Sequence, residues 1–162
     1  MSKKKRVDEG VAGMDLLICR NPKAAARYEI EETLEAGMIL QGSEVKSLRQ
    51  RRADLEGAYA IVQQGELWLH KAHIAPYEQG GPHFNHEPKR SRKLLAHKRE
   101  IERLAGKLAT KGYSLVPLQL YFKNGHAKVQ LGLGKGRKVH DDRETIKRQV
   151  DLREARESMK ER

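Results

Sequence analysis

Cysteine is almost absent: Cys19 stands alone in 162 residues, so no intrachain disulfide forms and no Cys-rich zinc knuckle can be built. That usage suits a reducing compartment. Aromatic side chains are few, one Trp, five Tyr and two Phe, which is low for a protein that grips single-stranded bases mainly by stacking. Long apolar runs are missing as well. Runs such as Leu16-Leu17-Ile18-Cys19 are far short of the roughly 20 residues a bilayer-spanning helix needs. The start, Met1-Ser2-Lys3-Lys4-Lys5-Arg6, has the charge of a signal peptide, but polar Val7-Asp8-Glu9-Gly10 follows where the apolar segment belongs, so the expected location is the cytoplasm. Met14 is an alternative start. No G-x-S-x-G elbow occurs, and no period of about 20 to 50 residues repeats, which excludes solenoids and propellers.

What the chain has in excess is positive charge. Lys and Arg number 33 against 22 Asp and Glu, and a pI near 9.8 gives a long-range attraction for polyanions. Nucleic acid is the first partner this implies. With 38% hydrophobic and 34% charged positions, the length suits one compact domain with flexible extensions.

Residues 1 to 20 combine a basic cluster with Gly10 and Gly13 and carry no sustained period, so a mobile N-terminus is expected there. From Tyr28 to Leu40 apolar residues alternate with acids, as a half-buried strand requires, with a bend at Ala36-Gly37. Gly42-Ser43 opens a short helix with Ser43 as cap. Leu55 to Val62 and Leu67 to Ile74 flank Gln63-Gln64-Gly65-Glu66 and read as a hairpin. Residues 76–88, rich in Gly and Pro, form an exposed loop. Ser91 caps the next helix, whose Leu94, Leu95, Ile101, Leu104 and Leu108 fall near a 3.6-residue period. After Gly112, Tyr113–Phe122 and Lys128–Leu133 form a second hairpin around Asn124-Gly125. From Gly134 onward charges alternate and few residues are apolar, so the tail cannot bury itself. The expected architecture is mainly β: a small antiparallel barrel with flanking helices and a disordered C-terminal tail.

Candidate chemistry thins out on inspection. The pairs His70/His73 and His83/His86 invite a zinc reading, but residues three apart on a strand point to opposite faces, so no metal is expected. Gly132-Leu133-Gly134-Lys135-Gly136 resembles a phosphate loop, yet the spacing to Lys is wrong and Gly136 stands where Ser or Thr must hold magnesium. Cys19 has no base beside it. The acids Glu29, Glu31, Glu32 and Glu35 read as a solvated strand face, Glu35 excepted because it adjoins Ala36-Gly37. The strongest generic signal is Lys89-Arg90-Ser91-Arg92-Lys93, four cations in five residues with no acid between Glu87 and Glu100; phosphate contact is the expectation. Arg49, Arg51 and Arg52 form a second patch.

Beyond composition, ordered motifs carry a resemblance. Glu35-Ala36-Gly37, then Leu40-Gln41-Gly42-Ser43-Glu44-Val45-Lys46-Ser47-Leu48-Arg49, then Arg92-Lys93-Leu94-Leu95, closely resemble the SmpB family of tmRNA-binding proteins. Gly112-Tyr113, Leu120-Tyr121-Phe122-Lys123-Asn124-Gly125, Ala127-Lys128-Val129 and Gly134-Lys135-Gly136-Arg137-Lys138 with His140-Asp141 follow in the family's order, across roughly residues 21 to 160.

The resemblance implies an OB-like barrel over 21–133 that binds the tRNA-like domain of tmRNA through Asn21, Glu35, Arg49, Lys93, Leu95 and Lys128, with Lys89, Arg90 and Arg92 added from the basic run. It implies a basic tail over 134–162, disordered when free and helical in the empty mRNA channel near the decoding site of a stalled ribosome. There His140 stacks, Asp141 completes the motif, and Lys135, Arg137, Lys138, Arg143, Lys147 and Arg148 meet phosphates. Alanines at 24–26 and Asp142 replace residues that are commonly basic in the family. The implied partners are tmRNA and the ribosome, with no cofactor, metal, membrane or small-molecule substrate, and no catalysis. An RNA-modifying enzyme would need a metal site or a convergent acid-base pair, and a general single-strand binder would expose more aromatics.

Overall fold

A computed structural model describes residues 13–137. In chain order it contains β1 (Met14–Arg20), α1 (Pro22–Arg27), β2 (Tyr28–Met38), α2 (Gly42–Arg49), β3 (Ala53–Asp54) and β4 (Tyr59–Gln63). β5 (Glu66–His70), β6 (His73–Ile74), β7 (Arg92–Leu95), α3 (Lys98–Leu108), β8 (Tyr113–Lys123) and β9 (His126–Gly136) follow.

Strand order runs β1-β8-β4-β5-β7-β2-β9, and β9 returns to pair with β8. The sheet therefore closes through β8, β4, β5, β7, β2 and β9, all antiparallel neighbours, while β1 lies on β8 outside the ring. Closure removes exposed edges from a small sheet. β8 changes partner along its length: Leu115 pairs with Ala60 of β4, whereas residues 119–123 pair with β1. The β4–β8 seam is narrow, and a cavity of about 630 Å³ lies along it, walled by α1, α3 and both strands.

Alternation places the core. Leu67, Leu69, Leu115, Val129, Leu131 and Leu133 point inward and are buried, each contributing about 1.5–3 kcal/mol by leaving water. Ile101 and Leu104 of α3 join the same cluster. Both hairpins turn on two residues with positive φ, Gln64-Gly65 and Asn124-Gly125, the combination whose twist matches the flanking strands. Where β9 crosses β2, a Cβ on Gly134 would stand 2.1 Å from the Glu29 carbonyl oxygen, so only glycine permits that approach.

Several expectations are corrected. The segment ending at residue 20, expected to be mobile, contains β1, whose pairing partner lies about a hundred residues later on β8. β9 runs to Gly136, past the expected boundary at Leu133. No helix starts at Ser91: Arg92 and Leu94 are buried and alternate with Lys93 and Leu95 as β7, and α3 begins at Lys98 with His97 as its N-cap. Alternation wins there because β5 and β2 flank β7 and supply backbone partners. α2 is capped by Gln41 rather than Ser43, in a capping box whose third residue is Glu44. The first hairpin turns on Gln64-Gly65 alone, and residues 73–74 leave it to pair with β3.

Candidate nucleic-acid interface

On the outer face of β2, β9 and β8, Glu35 registers with Gln130 and Gln130 with Gln119. One step along, Gly37 registers with Lys128 and Lys128 with Tyr121. The Tyr121 hydroxyl donates to Glu35 Oε2 at 2.6 Å, and Lys123 Nζ lies 3.3 Å from both Glu35 oxygens. Tyr121 is buried under these side chains. Burial first, then the Glu35 hydrogen bond and charge, hold its phenol well above the usual tyrosine range.

Gly37 leaves room above the strand, and Lys128 Nζ occupies it: a Cβ built there would be 3.6 Å from that nitrogen and 3.5 Å from Leu95 Cβ. Leu95 is 54% exposed, so an apolar side chain stands beside an ammonium that has no ion pair among the described residues; Ile39, next on the chain after β2, is 46% exposed. Beyond them the barrel mouth opens beside Leu40, Val45, Phe122 and the hairpin tip. Arg49 stacks on one of these residues, with its guanidinium 5.1 Å from the Phe122 ring centre. The face thus offers cations, one carboxylate oriented by a tyrosine and a lysine, and accessible apolar contacts. Cations meet phosphates, and a fixed carboxylate accepts hydrogen bonds from base or sugar donors.

Glu35, Arg49, Leu95 and Lys128, expected from the sequence, converge here. Others do not. Arg92 is fully buried, held by Glu44 and by the carbonyls of Ala72 at 2.6 Å and Pro88 at 2.9 Å. Its expected phosphate contact is therefore corrected to a core role. Arg90 is committed to the same Glu44 carboxylate. Burial opposes the Glu44 charge, but hydrogen bonds from Arg90, the Gln41 amide and Arg92 outweigh it and keep the carboxyl below the usual range. Lys93 pairs with Glu66 at 3.0 Å on the surface, and Lys89 is exposed. Asn21 is buried, and its amide nitrogen donates to the carbonyls of Leu55 and Pro117; it pins the β1–α1 junction instead of facing solvent.

At the far end of β9, Lys135 Nζ sits 5.1 Å from the Tyr113 ring centre, and the Arg137 amide donates to Arg27 O at 2.7 Å. Lys138, His140, Asp141, Arg143, Lys147 and Arg148 lie outside the described residues. Tyr121 and Lys123 were not singled out as site residues from sequence; their i, i+2 spacing on a strand marks a shared face, but only the pairing of β8 with β9 brings that face to Glu35. Burial pushes the Cys19 thiol up to about 11, helped by the Asp54 charge, which suits no nucleophile. Among the described residues no three His, Cys, Asp or Glu converge on a metal-sized site, and no helix is long and apolar enough to cross a membrane.

The SmpB protein family model matches residues 18–161. The SsrA-binding protein of Geobacter metallireducens is 56% identical over 146 residues, covering 90% of this chain and 95% of that protein. The SsrA-binding protein of Roseiflexus castenholzii is 50% identical, covering 93% and 95%. A chain in a solved structure described as "tmRNA-SmpB: a journey to the center of the bacterial ribosome" is 51% identical, with a TM-score of 0.64 over 75% of this chain and 85% of that one. On the match from residue 18 to residue 161 and these identities, the chain belongs to the SmpB family.

Proposed function

We propose that this protein binds the tRNA-like domain of tmRNA and delivers it to stalled ribosomes for trans-translation. The observation that carries the reading is the Lys128 ammonium seated over Gly37, between exposed Leu95 and the Glu35–Tyr121–Lys123 cluster. That surface combines an unpaired cation with an oriented carboxylate, which fits a folded RNA whose backbone and base edges are both presented. The relatives' description as SsrA-binding proteins supports the same partner, as does the ribosomal setting of the similar solved chain.

The reading is presentation, not catalysis: the barrel holds the RNA and peptide transfer is left to the ribosome. The segment after Arg137 occupies the empty mRNA channel, with Lys138, Arg143, Lys147 and Arg148 toward phosphates and His140 stacked near the decoding site. A protein of this kind works in the cytoplasm and needs no cofactor.

The test is binding to the tRNA-like domain of tmRNA against an elongator tRNA and an unstructured RNA of equal length, at physiological salt. It uses the full chain and a variant ending at Arg137. Preference for the tmRNA domain, kept by the truncation while rescue of stalled ribosomes is lost, supports a barrel that binds and a tail that senses. Equal binding to all three RNAs reduces the protein to a generic basic binder and sinks the reading.

A further inference from the structure

α2 ends in a turn where the Arg51 amide donates to Leu48 O at 2.9 Å and the Arg52 amide to Ser47 O at 3.1 Å. This double closure needs a left-handed residue between the helix and the following chain, a place where glycine is favoured. Here the residue is Arg51, with φ +59°. Among the described residues three other non-glycine residues have positive φ: Gln64, Lys71 and Asn124. Gln64 and Asn124 open two-residue hairpin turns, and Lys71 Nζ lies 5.9 Å from the Tyr59 ring centre. Arg51 takes the left-handed conformation to close α2, at a conformational cost that glycine would not carry. Its side chain is exposed and makes no hydrogen bond, ion pair or ring contact with any described residue.

The neighbouring cations are occupied. Lys46 stands 5.2 Å from the Tyr77 ring centre, Arg49 over Phe122, and Arg52 pairs with Glu78 at 3.0 Å. The only acid on α2, Glu44, is buried and bound by Arg90 and Arg92, so the exposed side of the helix is purely cationic. A guanidinium kept free at a strained position, at the C-terminal end of α2 and two residues after Arg49 in sequence, is placed for a doubly hydrogen-bonded phosphate.

We propose that Arg51 contacts a backbone phosphate of the tRNA-like RNA, extending the interface from Arg49 around the C-terminal end of α2. This rests on the proposed function above. The experiment compares full-length wild type, Arg51→Gly, Arg51→Lys and the charge control Lys111→Gln, at an exposed lysine between α3 and β8, by titration of the tRNA-like domain of tmRNA across a salt series and by thermal melting.

Arg51→Gly relieves the left-handed strain, so it is expected to melt about 2–4 °C higher. The same variant should bind about three- to tenfold more weakly at physiological salt, with a slope of log K against log salt shallower by about one. Arg51→Lys should keep the slope, and Lys111→Gln should keep both slope and affinity. Wild-type binding by Arg51→Gly, or an equal loss in Lys111→Gln, overturns the proposal. Failure of the proposed function looks different: wild type would then fail to distinguish the tmRNA domain from elongator tRNA, whereas the Arg51 comparison is between variants on one RNA.

Discussion

The hydroxyl of Tyr121 on β8 reaches across β9 to donate to Glu35 on β2, at 2.6 Å. The bond ties together two strands that share no ladder and fixes the orientation of a carboxylate that Lys123 also holds. Tyr121→Phe removes the donor while keeping the ring. The expected cost is about 1 kcal/mol in unfolding free energy, with RNA binding weakened because Glu35 is then held only by Lys123; urea denaturation and RNA titration of the same variant check both.

The same bond has an alkaline signature. In the folded chain the Tyr121 phenol stays protonated above its ordinary value of 10.0, whereas in the unfolded chain it ionises there. Stability present below pH 10 should therefore be lost as pH rises above it. Absorbance at tyrosinate wavelengths should show one phenol that ionises only together with unfolding, and this late step should vanish in Tyr121→Phe.

Lys128 and Leu95 separate charge from contact. Lys128 has no ion pair to lose among the described residues, and Leu95 is 54% exposed, so neither substitution to Ala should shift the melting temperature by more than a degree or two. Lys128→Ala should weaken binding of the tRNA-like domain and flatten the salt slope by about one. Leu95→Ala should weaken binding with the slope unchanged, since it removes only apolar contact. A salt slope altered equally by both would contradict this division.

What was legible in the sequence was what is locally encoded. The second hairpin follows from Asn124-Gly125, because two successive positive φ values demand such residues, and the alternation from Tyr28 shows β2 directly. The family motifs named Glu35, Arg49, Leu95 and Lys128; the closed sheet brings Glu35, Leu95 and Lys128 to one region, and α2 sets Arg49 over Phe122. The rest depends on distant partners. β1 has no strong period of its own and is a strand because β8 accepts it. The run Lys89–Lys93 reads as a phosphate contact because no acid lies between Glu87 and Glu100, yet the counter-ion of Arg90 and Arg92 is Glu44, on a helix more than forty residues earlier.

Gly134 should tolerate nothing larger. A Cβ there meets Glu29 O at 2.1 Å and Ile30 Cα at 2.9 Å, both backbone, so no side-chain rotation relieves the clash. Gly134→Ala must separate β9 from β2 at the end where the chain leaves the barrel. A loss of several kcal/mol is expected, together with faster amide exchange at Ile30 and Glu32, read by hydrogen exchange. An undisturbed β2–β9 ladder in that variant would overturn this account of the strand crossing.

Glu44 is the hinge of the buried charge cluster. Its carboxylate faces two guanidinium groups, and Arg92 is fully buried with it. Glu44→Gln leaves Arg92 charged and without its counter-ion, and breaking a buried pair from one side costs about 3–5 kcal/mol. Because the folded Glu44 carboxyl lies below its ordinary 4.5, its contribution is complete above that pH and is lost as pH falls through the lower folded value. Denaturation midpoints should be flat from neutral pH to about 5 and then decline in wild type, while Glu44→Gln starts lower and loses less over the same acid range. A wild-type and a variant curve running parallel through that range would mean that the carboxylate is not what holds Arg90 and Arg92 in place.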